Sequence, residues 1–142
     1  KKSLIRYMAS HLDLPDSLAR RLALLSLALF FVVVGIDHFL RTDFYVSIMP
    51  PYIPAHLELV LISGGLEITG GLSLLLGFLR RFTSLCLMAL LIAVYPANVH
   101  MAMNPDLFPA FEQEALNARL LLQFVFLYWV YEVGFRKIVK DV

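Results

Sequence analysis

The sequence predicts an all-α fold, a transmembrane four-helix bundle with short interfacial helices in its outer loops. Three observations carry this. Of the 142 residues, 60% are hydrophobic and only 16% charged, with a mean hydropathy of +0.77, whereas soluble domains run near 45–50% apolar and about 25% charged. Four apolar segments each approach the roughly 20 residues that a helix needs to cross a bilayer core. Finally, basic residues gather on one side of those segments. A net charge of +1 offers no field for nucleic acid. The single cysteine, Cys86, excludes an internal disulfide and is read as a small core residue.

The first span is read from about residue 22 to 40, the second from 57 to 79, the third from 82 to 103 and the fourth from 118 to 135, in one domain covering 1–142. A helix satisfies its own backbone groups, which is why four spans imply a bundle. The first span ends in Asp37-His38-Phe39-Leu40-Arg41, without a small-residue cleavage site, and is expected to be retained. Lys1, Lys2, Arg6, Arg20, Arg21, Arg80, Arg81, Arg136, Lys137 and Lys140 share one side, against Arg41 and Arg119 on the other. The expectation is an integral protein of a bacterial inner (plasma) membrane with both termini cytoplasmic.

Between spans one and two, Phe44, Tyr45, Ile48 and Met49 share a helical face before Pro50, Pro51 and Pro54, predicting a short interfacial helix. Between spans three and four, Leu107, Phe108 and Phe111 lie near Pro105 and Pro109. Pro109 is placed in the first turn of a helix running into span four.

A charge in the bilayer needs a partner, a proton or water. Glu67 lies ten residues into span two, about 15 Å deep. Ser63, Gly64, Gly70 and Gly71 stand three or four positions away, a small-residue stripe that allows close helix approach and turns Glu67 inward. Two readings stay open: a proton-accepting or ligand-binding carboxyl, and an interhelical hydrogen bond that fixes register. A second polar group sits near the outer end: Asp37 and His38, Asn98 and His100 beside Pro96, Arg119 and Gln123, with His56 and Glu58 opening span two. An Asp37–Arg119 ion pair is expected from their matching depths, with Asn98 and Gln123 reaching towards Glu67. Tyr52, Tyr95, Phe39 and Met101 are expected to complete an outward-facing pocket. No His-x-x-x-His spacing supports a metal at His38, His56 or His100. The ligand-binding set is therefore Asp37, His38, Glu67, Asn98, His100, Arg119 and Gln123, with no catalytic or metal-ligating residue.

Gly35-Ile36-Asp37-His38-Phe39, Met49-Pro50-Pro51-Tyr52-Ile53-Pro54, Ser63 to Gly71 and Tyr95 to Met101 together resemble the DoxX-like family of small four-span membrane proteins. That resemblance implies a membrane subunit of a quinone-linked redox complex, working beside other protein subunits, and an auxiliary subunit is expected before an enzyme acting alone. A quinone or a lipid is the expected pocket ligand. The alternatives are a stand-alone binder or transporter of a small hydrophobic molecule, and a structural accessory subunit of a large membrane assembly.

Overall fold

The computed structural model describes Leu12 and residues 14–136. Lys1, Lys2, Arg6, Lys137 and Lys140, counted in the charge asymmetry, lie outside the described residues. All regular structure among the described residues is helical: α1 (Leu18–Leu40), α2 (Thr42–Ser47), α3 (His56–Ser73), α4 (Arg80–Met103), a 3-10 turn (Pro105–Leu107) and α5 (Gln113–Phe135). The helices α1, α4 and α5 are long and apolar enough to cross a membrane. At 1.5 Å per residue their 23 or 24 residues span about 34–36 Å.

Leu29, Val33, Ile62, Leu85, Ile92, Leu121 and Phe124 are 54–70% exposed. Apolar surface on that scale is rare on a protein bathed in water and ordinary on one bathed in lipid. Cys86 is exposed on this outer surface and is not a core residue as the sequence suggested.

Several boundaries move. α1 gives way to α2 through Arg41, whose N–H donates to the Asp37 carbonyl at 2.8 Å. α2 stops ahead of Pro50 and Pro51, which lack the N–H that would extend it. α3 ends at Ser73, and residues 74–79 form turns where span two was expected to continue. Glycines at 70, 71 and 77 weaken helical persistence there. Pro109 lies in a turn, and α5 starts four residues beyond it rather than on it.

The helices pack as two pairs, α1 with α3 and α4 with α5, which touch each other much less than the partners within each pair do. Glycine makes the first pair. A Cβ on Gly64 would stand 2.7 Å from the Cβ of His38 and 2.9 Å from the Gly35 carbonyl, and one on Gly71 would stand 2.7 Å from the Ala28 carbonyl. The two backbones thus meet at a distance that any side chain would forbid. The small stripe is split, however: Gly70 faces Leu87 on α4, and Gly65 has nothing within 4 Å of where a Cβ would be.

Two apolar clusters cap the ends. Leu24, Leu27, Phe31, Leu74, Leu87, Leu91 and Val130 fill the end near Arg80. Ile48, Met101, Phe108 and Leu116 form a smaller cluster under the opposite connections. The polar residues lie between the two.

Candidate functional site

A cavity of about 670 Å³ runs along the seam between the two helix pairs. Its walls are mostly apolar, from Phe30, Val34, Leu66, Leu90, Leu122, Phe126 and their neighbours. Set into them are His38, Tyr45, Glu67, Asn98, Arg119 and Gln123. Five of the seven residues expected to bind a ligand are therefore in one chamber. Asp37 and His100 do not line it.

Glu67 is 6% exposed and His38 7%, both held inward by the glycine crossing one turn away. His38 Nδ1 lies 2.9 Å from Glu67 Oε2 and 3.0 Å from the Val34 carbonyl. One ring nitrogen has one proton to give, and its alignment favours the carbonyl. Oε2 consequently touches the ring nitrogen but receives no in-line hydrogen bond, an orphaned buried oxygen on the cavity wall. An arrangement of this kind has polar capacity left for another group.

The opposite wall carries a chain of hydrogen bonds between α4 and α5. Arg119 Nε donates to Asn98 Oδ1 at 3.2 Å, Asn98 Nδ2 donates to Gln123 Oε1 at 3.1 Å, and Gln123 Nε2 donates to the Leu91 carbonyl at 2.7 Å. Leu91 adjoins Ile92, the carbonyl that Pro96 deprives of its helical donor. This network satisfies α4 and α5 with each other and does not bridge to Glu67 through hydrogen bonds. Arg119 makes no ion pair among the described residues, so its guanidinium adds a cation, with donors beyond Nε, to the chamber.

Asp37 pairs with Arg41, not with Arg119. Arg41 Nε and Nη2 reach both carboxylate oxygens at 2.5–3.0 Å. Matching depth brought Asp37 and Arg119 together on paper, but depth does not fix the side of the helix, and Arg41 stands four residues on, one turn away. Tyr45 completes this lock, its hydroxyl donating to Asp37 Oδ2 at 2.7 Å while its ring stacks on His38 at 3.9 Å. Burial first, and then the bond to Asp37, push the Tyr45 hydroxyl above its ordinary ionisation range, so it stays a donor. From the sequence Tyr45 shows only as a member of an apolar helical face. The signal that would have found it is its position eight residues past Asp37, across a short helix that folds back on α1.

None of the four expected lining residues lines the chamber. Tyr52 is 77% exposed and Phe39 48%, Met101 is sealed in the smaller cluster, and Tyr95 packs edge-on against Phe124. Phe39 and Tyr95 follow and precede site residues in sequence, yet helical rotation turns neighbours to other faces. The wall is made instead by Phe30, Val34, Leu66 and Phe126. His100 bonds with Asn104 at 3.2 Å and meets Phe108 edge-on, and His56 bonds the Pro50 carbonyl at 3.0 Å. Among the described residues no three His, Cys, Asp or Glu side chains converge on one point.

Fold and site together define a helical membrane-type protein with a mixed-polarity cavity that opens between its two helix pairs. The chain belongs to a family described as a domain of unknown function, DUF8561, whose model matches residues 27–134. That match overturns the DoxX-like resemblance: the glycine, proline and Asp-His stretches that suggested it occur here in a different family. Neither the curated proteins nor the solved structures contain a match to this chain.

Proposed function

We propose that the chain is a four-span membrane protein, with both termini on the cytoplasmic side, whose chamber holds one small amphipathic molecule. The fourth span is α3: its 18 residues cover about 27 Å. The orphaned Glu67 oxygen on the wall of the 670 Å³ cavity is the observation that carries the reading. A volume of this size lies in the range of small-molecule sites, which pair apolar walls with a few converging polar groups. The ligand's apolar body rests on Phe30, Phe126 and Leu66. Its head group takes hydrogen bonds from Arg119 and gives or takes one at Glu67, with Tyr45 and His38 fixing the carboxyl's surroundings. A quinone or a lipid meets this description, having carbonyl or hydroxyl oxygens at one end and hydrocarbon at the other.

The test starts with purification in mild detergent, solvent extraction and mass spectrometry of what the protein retains. A stoichiometric amphiphile is expected. Ala97→Phe puts a ring into the cavity and should expel the ligand while the helical circular-dichroism spectrum is kept, and Glu67→Gln should weaken retention. An Ala97→Phe protein that keeps the amphiphile unchanged would end the reading. The same preparation tests whether the chain serves as an auxiliary subunit of a quinone-linked complex, since a redox partner would then elute with it.

A further inference from the structure

A second cleft lies at the other end of the molecule. It measures about 350 Å³ and is enclosed by the start of α1, the turn at Gly77, the start of α4 and the end of α5. Arg20, Arg80, Arg81 and Arg136 all line it, against one carboxylate, Glu132. Glu132 is in contact with Arg136 at 3.1 Å. Arg20 and Arg81 make no ion pair among the described residues. Arg81 lays its guanidinium over the Phe135 ring at 5.4 Å, and Arg80 Nε is oriented by the Leu74 carbonyl at 2.8 Å.

Basic residues commonly flank membrane spans, and that habit alone puts arginines at this end. It does not make four of them, from the starts of α1 and α4 and the residue that follows α5, line one cavity. Guanidinium groups present forks of N–H donors that match the oxygens of a phosphate. The opposite wall is apolar: Trp129, fixed by its indole N–H on the Ala23 carbonyl at 3.1 Å, lines the cleft. Phe78 and Phe82, 70% and 67% exposed, flank the arginine turn. A phosphate on a hydrocarbon stem satisfies both walls, whereas a free anion satisfies only one.

We infer that this cleft binds the phosphate of an anionic phospholipid from the adjoining leaflet. The site is separate from the chamber and stands whether or not the chamber holds a ligand.

Native mass spectrometry of the purified full chain tests it, with equal amounts of dioleoyl phosphatidylglycerol and dioleoyl phosphatidylcholine. The acyl chains are identical, so any preference reports the head group. The native protein should favour phosphatidylglycerol by about tenfold or more, and the Arg20→Gln/Arg81→Gln variant should lose that preference. Arg21→Gln, which removes the same kind of charge from a residue that does not line the cleft, should keep it. Equal binding of the two lipids by the native protein overturns the proposal, as does an Arg21→Gln loss matching that of the cleft variant. Should the double variant melt early, Arg81→Gln alone serves, because that side chain is exposed; an unchanged preference there also overturns it. Excess inorganic phosphate should leave the lipid adduct in place. Full displacement by it makes the soluble anion the ligand and overturns the lipid source.

Discussion

Replacing Gly64 by alanine inserts one methyl group where α1 and α3 cross. The new Cβ would lie 2.7 Å from His38 Cβ and 2.9 Å from the Gly35 carbonyl. Neither atom belongs to the far end of a flexible side chain, so the helices themselves must separate. Reaching the 3.4 Å of ordinary contact takes about 0.7 Å of movement. Over-packing of this kind costs about 1–3 kcal/mol. The same displacement acts on the 2.9 Å contact between His38 and Glu67, which lie on the two helices being forced apart. Gly65→Ala is the internal control: with nothing within 4 Å, it adds the same methyl to open surface, and alanine in a helix gains roughly 0.5–1 kcal/mol over glycine. Thermal unfolding in detergent, with retained amphiphile measured on the same samples, reads both effects. Gly64→Ala should melt lower and retain less, and Gly65→Ala should melt level or higher. A Gly64→Ala protein as stable as the native chain would mean that backbone proximity does not hold the site.

Gln123→Ala removes the donor to the Leu91 carbonyl and the acceptor from Asn98, and should cost about 1–3 kcal/mol in chemical or thermal unfolding. Ser84→Ala should melt level with or above the native chain in the same assay, because it removes a buried hydroxyl that has no hydrogen-bond partner to lose. Tyr45 ionises only above the ordinary tyrosine value of 10.0. Because the folded value is the raised one, its contribution is intact below pH 10.0 and is lost as pH rises past the folded value. An ultraviolet titration should therefore show Tyr45→Phe and native protein identical through that value, with the Tyr45 phenolate appearing only beyond it. Trp129→Phe deletes the indole donor to the Ala23 carbonyl and should lower stability by about 1 kcal/mol, measured by thermal melting.

Part of this structure is legible in the chain. The glycines at 64 and 71 around one carboxyl already say that Glu67 faces protein, because small residues let a second helix approach closely enough to shield it. Asn98 and Gln123, expected to reach towards Glu67, bond to each other instead. What escaped reading was azimuth and loop geometry. Counting from span ends gave Asp37 and Arg119 the same height, but not the same side, and Arg41 on the next turn was the nearer partner. The aromatic lining failed for a related reason: Tyr52 belongs to a proline-bound connection whose path follows from packing under Phe108 and Leu116, not from local pattern. The end of α3 was misjudged because Leu74, Leu75 and Leu76 look like continued span, while their backbones form turns. Short glycine-rich and Asp-His stretches answer packing demands that many membrane helices share, so they point to the physics of a crossing more than to a particular family.

The division into two tightly knit halves also bears on assembly. Residues 18–73 contain both members of the His38–Glu67 contact and the Asp37–Arg41–Tyr45 lock, while residues 80–135 contain all of the Arg119–Asn98–Gln123–Leu91 chain. Each helix pair thus makes these side-chain contacts within itself, and what they leave over, one Glu67 oxygen on one half and the remaining Arg119 donors on the other, faces the other pair. Few contacts join the two halves, so a gap stays open along the seam, and the polar capacity left over on each side is turned into it.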